Sequence, residues 1–220
     1  MKTHPIEAKK SRPRRGRPPK IDRHTVVESA LAFELDEVSM RDVATRLQVT
    51  DAALYHYFEN LEDLRDAMTD ALVAEFELPE PRDTWRDWLE DFGHSIRREL
   101  RRHRGAAAVL SRRGPTSPGA LRIVQAVIGR LVDEFGFDVL WAARAYSLVS
   151  GLAISSVVRE EAAEAARRTA PSLLEVLDRS SIDSPLLRTV AEYWNSSSWD
   201  GDFDDGLHCI LDGVAARLAD

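Results

Sequence analysis

The chain holds one cysteine, Cys209, among 220 residues, so no internal disulfide can staple the fold. Its neighbours Leu207, Ile210 and Leu211 form an apolar helical setting, which predicts a packed thiol rather than a reactive one. The six histidines show no pairing at i,i+3 or i,i+4, the spacing that would put two metal ligands on one helical face. Glycines are few and form neither a phosphate-cradling loop nor the turn around a nucleophilic serine. No enzyme constellation, metal site or cofactor site is therefore expected. No apolar run approaches the ~18 residues of a membrane span, and no apolar signal segment follows the basic N-terminus. A cytoplasmic protein without a membrane partner is the expectation. Hairpin signals, alternating strand patterns and internal repeats are also missing. The acidic run Asp200-Gly201-Asp202-Phe203-Asp204-Asp205-Gly206 fails as a calcium loop. Asp205 and Leu211 stand where a glycine and a bidentate glutamate are needed, so a solvated loop is predicted.

What the chain does have is segregated charge. Its net charge is −7, yet residues 1–20 carry eight basic side chains against the single acid Glu7. The other 200 residues carry 22 basic and 36 acidic side chains. A basic tail on an acidic body places nucleic-acid affinity at one end. Four prolines and almost no apolar side chains predict that this arm, residues 1–21, is disordered when free.

The rest reads as all-α. A first helix is expected from 22 or 23 to 34, burying Val26, Val27, Ala30, Leu31 and Phe33. Segment 39–64 then carries two short apolar stripes, Val43-Ala44-Leu47 and Leu54-Phe58, separated by Gln48-Val49-Thr50. That spacing is a helix-turn-helix. Thr50 is placed to cap the second helix, expected over 51–58, and Asn60 the next. A helix of about two turns is barely stable alone, and lying in a DNA major groove would justify it. Pro79 and Pro81 end the long helix that follows. Further helices are expected at 84–102, 120–135, 139–167, 173–177, 186–194 and 203–218, with a short apolar turn at 106–110 and polar loops at 112–118 and 196–202. The division that results is a helix-turn-helix domain over 22–69 and a larger helical domain over 70–220.

Several stretches together resemble the TetR family of transcriptional repressors: Glu28-Ser29-Ala30-Leu31, Ser39-Met40-Arg41-Asp42-Val43-Ala44 and Leu54-Tyr55-His56-Tyr57-Phe58-Glu59-Asn60. Trp85-Arg86-Asp87-Trp88-Leu89, the arginine-rich 97–104, Gly114-Pro115-Thr116 and 206–213 are similar to the regulatory domain of the tetracycline-repressor subgroup. The resemblance implies a three-helix DNA-binding domain joined to a ligand-binding and dimerising bundle. The partners would be double-stranded DNA, a second copy of the chain and a small-molecule effector. The dimer would form a four-helix bundle from about 139–163 and 203–219. DNA contact would fall to Ser39 and Arg41 on the second helix and to Thr50, Asp51, Ala53, Tyr55, His56 and Tyr57 on the third. Tyr55 can equally be a core residue stacked on the first helix. Threonine and alanine suit a thymine methyl, arginine a guanine, and tyrosine a phosphate.

Three departures from the family pattern stand out. The connection 33–38 is about four residues short and lacks a turn glycine, so the first helix must end early or pack differently. Gln48 replaces the usual turn glycine, and a positive φ there would cost about 1 kcal/mol. Acidic Glu62 and Asp63 stand where a lysine commonly follows Asn60, and near phosphate they repel. The arm offers compensation. Arg14-Arg15-Gly16-Arg17-Pro18 resembles an AT-hook, in which arginines enter a narrow minor groove around a glycine. The alternative is a plain phosphate-binding tail.

The resemblance also raises magnesium-tetracycline as an inducer, and the residues oppose it. The subgroup's metal-ligand histidines align with Leu110 and Gly151, its anchoring asparagine with Phe92, its glutamine with Ala126 and its carboxylate with Arg159. A pocket drawn from Trp88, Phe92, Ile96, Leu110, Trp141, Tyr146 and Val149 would suit a hydrophobic or aromatic molecule. The expectation is a homodimeric repressor on a palindromic operator, released by such an inducer. The alternative is a DNA-binding regulator with no inducer, its C-terminal bundle serving only dimerisation or protein docking.

Overall fold

The computed structural model describes residues 21–167 and 169–219; the arm, with Arg14, Arg15 and Arg17, lies outside them. The described residues form helices and connections with no strand. In order these are α1 (Arg23–Ala30), α2 (Met40–Leu47), α3 (Asp51–Leu54), α4 (Leu61–Glu75), α5 (Trp85–Arg102), α6 (Ala106–Arg113), α7 (Pro118–Asp133), α8 (Val139–Ala166), α9 (Leu173–Arg179), α10 (Pro185–Ser196) and α11 (Trp199–Leu218). Short polar side chains set most of the starts. Asp22, Ser39, Asn60, Thr84, Ser117, Asp138, Ser172, Ser184 and Ser198 each accept from an otherwise orphaned N–H of the first turn.

The short 33–38 connection resolves by early termination. Helix α1 stops at Ala30, and Leu35 and Val38 of the loop are buried. Gln48 does adopt the left-handed conformation, φ 57 and ψ 39, as the C-cap of α2. Its N–H and that of Val49 close onto carbonyls of α2, Val49 to Ala44 at 3.0 Å, which ends the helix tightly enough to turn into α3. A Gln48→Gly variant is expected to be about 1 kcal/mol more stable by chemical denaturation, because glycine removes the Cβ clash. Equal or lower stability would show that the glutamine side chain offsets the strain.

Other boundaries correct the sequence reading. The expected helix over 51–58 is regular only to Leu54; it continues as a turn in which Tyr57 and Phe58 donate to the Leu54 carbonyl at 2.9 and 3.1 Å. Thr50 occupies the cap position but makes no side-chain cap bond. Residues 106–110 belong to a full helix, α6. The polar loop expected at 196–202 is largely the first turn of α11, where Asp200 and Asp202 favour the helix N-terminus. Cys209 is exposed. Leu207 and Leu211 take the core side of α11, and a residue midway between two positions four apart falls on the far side.

Helix α8 is the hub of the bundle, with α5, α6, α7 and α11 packed around it. By length and composition it could cross a membrane, contrary to the sequence expectation of no such stretch. Here its apolarity serves the interior instead: Ala142, Ala145, Val149, Ala153 and Val157 form a buried row. Two apolar clusters result. One joins Trp88, Leu89, Phe92, Val127, Leu131, Phe203, Leu207 and Leu211. The other unites the buried side chains of α1 to α4 with Leu100, Ala106, Ala107, Val109 and Val157. Helices α1 to α4 thus share a core with α5, α6 and α8, and the division expected at residue 70 falls inside α4.

Candidate DNA-reading head and effector cavity

The head is built to hold α3 outward. Leu54 and Phe58 are buried, which anchors α3 and its turn by one face. On the other, Thr50, Asp51 and His56 are exposed and Tyr55 is 54% exposed, so Tyr55 is not a core residue. Arg41 is exposed in the first turn of α2, behind the half-buried cap Ser39. Ala53 is half-buried while its neighbour Ala52, not singled out by the sequence reading, is exposed. Of Tyr55, His56 and Tyr57, Tyr57 is the one that does not face outward. It is half-buried, and its hydroxyl donates to the Ile21 carbonyl at 2.7 Å. Its spacing from Leu54 and Phe58 would have revealed this, since it falls near the buried edge of the turn.

Arg23 completes the anchoring. Its guanidinium lies 4.2 Å from the Phe58 ring centroid, donates to the Tyr57 carbonyl and pairs with Asp63 at 2.7 Å. The Arg23 hydrogen bond holds the Asp63 carboxyl below its usual range, against an opposing effect of burial. The acidic start of α4 is thus largely matched within the chain. Glu62 is 2.8 Å from both Arg65 and Arg112, which reduces the repulsion of phosphate expected from the sequence.

Above the head, α4 to α8 enclose a cavity of about 310 Å³. Phe92, Ile96, Leu110 and Tyr146 line it, as expected. Trp88, Trp141 and Val149 do not. Trp88 is fully buried behind Phe92, stacked at 5.8 Å and 4°. Val149 faces Gly93 and is closed off from solvent. Trp141 is half-buried under Arg144, 4.8 Å from its ring centroid. The wall contributed by α4, Thr69, Leu72, Val73 and Phe76, was missed. Its i, i+3, i+4, i+7 spacing was visible in the sequence but is indistinguishable from a core stripe. The few polar side chains are Thr69, Glu99, His103, Tyr146 and two serines. His103 lies 3.4 Å from Glu99, and burial pushes the Tyr146 hydroxyl's titration up.

The N-terminal residues 34–68 match the family model for bacterial regulatory proteins of the tetR family, and residues 78–218 match the tetracyclin repressor-like C-terminal domain. The chain belongs to the TetR family. Its helix-turn-helix is therefore that of a DNA-binding transcriptional regulator. It is 30% identical over 206 residues to the tetracycline repressor protein class A from transposon 1721 of Escherichia coli, covering 90% of this chain and 92% of that one. Among solved structures it is similar to the TetR family protein ActR of Streptomyces coelicolor in complex with actinorhodin, with TM-score 0.72, 27% identity, and 90% and 97% of the two chains covered. It is similar also to TetR class A in complex with 5a,6-anhydrotetracycline and magnesium, with TM-score 0.60, 26% identity, and 87% and 96% covered.

A magnesium ion does not fit this TetR-family cavity. Leu110, Gly151 and Phe92, which the sequence resemblance sets at the subgroup's polar ligand positions, stand in its wall, and none offers a donor side chain. Ala126 and Arg159 are not in the wall; Arg159 instead lies 5.9 Å from the Trp199 ring centroid. Among the described residues no three His, Cys, Asp or Glu side chains are grouped so as to hold a metal ion.

Proposed function

We propose that this protein is a homodimeric repressor, released from a palindromic operator when a largely apolar, aromatic molecule enters the α4–α8 cavity. The observation that carries the reading is the cavity wall itself. Helix α4, which begins in the DNA-reading head, supplies Leu72, Val73 and Phe76 to it, so an occupant bears directly on the head's attachment. The lining is almost wholly apolar, with Phe92 and Tyr146 as flat faces, a chemistry suited to fused aromatic rings carrying one polar edge toward His103 and Glu99. An inducer-free regulator, the alternative, would be better served by a solid core.

The dimer is supported by what α8 and α11 leave uncovered. Leu140 and Leu148 of α8 are exposed, Leu148 at 47%, with Gly151 and Ser155 near it. Cys209 and Gly213 of α11 are exposed as well. Small and apolar side chains on two long helices suit a four-helix interface, and two-fold symmetry would pair two heads with two half-sites. Thr50, whose hydroxyl caps no helix, is available to phosphate or base beside Arg41, Asp51, Ala53, Tyr55 and His56. The basic arm adds sequence-independent affinity.

Two measurements test this. A chemically varied set of aromatic compounds, with actinorhodin first, is screened by thermal shift and then added to the protein bound to a duplex it has selected. A compound that raises the melting temperature should also release the DNA; uptake without release, or no uptake across the set, overturns the inducible reading. Separately, deletion of residues 1–19 should weaken DNA binding and flatten its salt dependence, since several phosphate contacts would be lost. Unchanged binding would remove the arm from the mechanism.

A further inference from the structure

The head is held to the regulatory bundle at a second place besides α4. The short 33–38 loop lies against the two residues that precede α6, joined to them by one main-chain hydrogen bond and by the Glu34 and Asp36 carboxylates. Leu35 N–H donates to the Arg104 carbonyl at 3.0 Å, and Arg104 N–H donates to Glu34 Oε2 at 2.9 Å. The Arg104 guanidinium then bridges the head and α8, with Nε donating to Asp36 Oδ2 at 2.8 Å and a terminal nitrogen to Glu164 Oε2 at 2.8 Å. Gly105 N–H donates to Glu161 Oε1 of α8 at 3.1 Å. Gly105 sits at φ +87, and a Cβ there would stand 2.8 Å from the Asp36 nitrogen, so the approach is close enough to require glycine. Buried Leu35 and Val38 share a cluster with Ala106, Ala107 and Val109 of α6.

The residues on either side of Arg104 and Gly105 border the cavity. His103 and Ala106, which flank Arg104-Gly105, line it, and so does Leu110 one turn further along α6. An occupant pressing on α6 therefore meets, directly behind it, the main chain of the head's own loop. Closely packed main chains joined by hydrogen bonds transmit displacement instead of absorbing it, and the loop leads straight into the Ser39 cap of α2.

We propose that cavity occupancy reaches the DNA head through a clasp formed by Glu34, Leu35 and Asp36 on one side and Arg104 and Gly105 on the other, in parallel with α4. This rests on the reading of the cavity as the effector site and adds the route by which it acts. The clasp has two states: closed, as in this structure, and opened when α6 is displaced. Both the occupant and DNA bias that equilibrium.

The test needs no known inducer. In the full chain, Leu110→Trp pushes a larger ring into the cavity from α6 and stands in for an occupant. It is made alone and together with Arg104→Ala, and each variant is first shown to melt cooperatively. Affinity for a selected duplex and hydrogen exchange of the Leu35 amide are then measured. The expected result is at least a tenfold loss of affinity and at least tenfold faster Leu35 exchange for Leu110→Trp. Against Arg104→Ala, the further loss of affinity caused by Leu110→Trp should be under threefold, because the guanidinium bridge from Asp36 to Glu164, which ties the clasp to α8, is already lost. An equal loss in both backgrounds overturns the clasp and leaves α4 as the route, with the effector reading intact. No loss in either background overturns the effector reading, and the clasp with it. Should Arg104→Ala fail to fold, Glu34→Ala with Asp36→Ala removes both side-chain acceptors that the head offers to Arg104.

Discussion

Joint replacement of Arg41, Tyr55 and His56 by alanine is expected to lower affinity for the selected duplex about a thousandfold. That would bring it to the level at which the protein binds any DNA, without changing the melting temperature. The three side chains project from α2 and the α3 turn, all exposed, and they make no hydrogen bond or ion pair among the described residues. Their removal thus costs the fold almost nothing. Each well-formed base contact contributes about 1–3 kcal/mol of discrimination, so three together span the usual gap between specific and non-specific binding. Residual binding should keep a steep salt dependence, since arm and body phosphate contacts are untouched. Fluorescence anisotropy against matched and scrambled duplexes measures both. Affinity within tenfold of the unaltered protein would sink the assignment of this face to DNA. Tyr57→Ala is a poorer probe: its hydroxyl bond to the Ile21 carbonyl contributes about 1 kcal/mol to the fold, so lost binding would mix with lost structure.

The different fates of Tyr55 and Tyr57 show which features of this molecule a sequence can carry. A Ser, Thr, Asp or Asn ahead of an apolar stripe is a local signal of a helix start; Asn60 caps α4 as that signal demands, whereas Thr50 takes the cap position of α3 without the bond. Gln48 in place of the usual turn glycine marked the strained position, while a positive φ and another turn geometry both stayed open until the structure gave φ 57. Which apolar residue faces a void and which faces a neighbour is not local. Phe92 and Trp88 lie four residues apart on one helix, both fully buried, yet only Phe92 borders the cavity; the difference is set by α4 and α7 across the bundle. The clasp at Arg104-Gly105 was equally hidden. The short 33–38 loop announced an anomaly, but nothing in its own residues named the segment 70 positions away that absorbs it. Charge pairing followed suit: Asp200 read as part of a solvated loop, and it is the outer anchor of a buried arginine on α5.

That arginine supplies the other large effect. Arg97 is 5% exposed, with Nε donating to Ser156 Oγ at 3.3 Å and one terminal nitrogen to Glu160 Oε2 at 3.1 Å. The other donates to the Asp200 carboxylate, and the guanidinium lies 5.0 Å from the Phe203 ring centroid. It thereby joins α5, α8 and α11 at one point. Arg97→Ala leaves a void and strips Glu160 and Asp200 of one of their two arginines, the other being Arg101. The expected loss is about 3 kcal/mol, or roughly 6–12 °C in melting temperature for a chain of this size. The loss should shrink in acid. The Arg97 hydrogen bond, opposed by burial, holds the Asp200 carboxyl below its usual range. A carboxyl whose folded value lies below its unfolded one stabilises the fold above about pH 3.9, and that contribution disappears as pH falls through the folded value. Asp200 is 64% exposed at its side chain, so solvent screening limits its own share to under about 1 kcal/mol. Denaturant melts at pH 7 and pH 3 should therefore show the gap between Arg97→Ala and the unaltered protein narrowing by up to about that amount. An unchanged gap would place the whole effect of Arg97 in packing against Phe203 and Ser156. Arg97→Met separates these contributions. It restores most of the buried stem but not the charge, so it should recover stability at both pH values and lack the same acid-sensitive part.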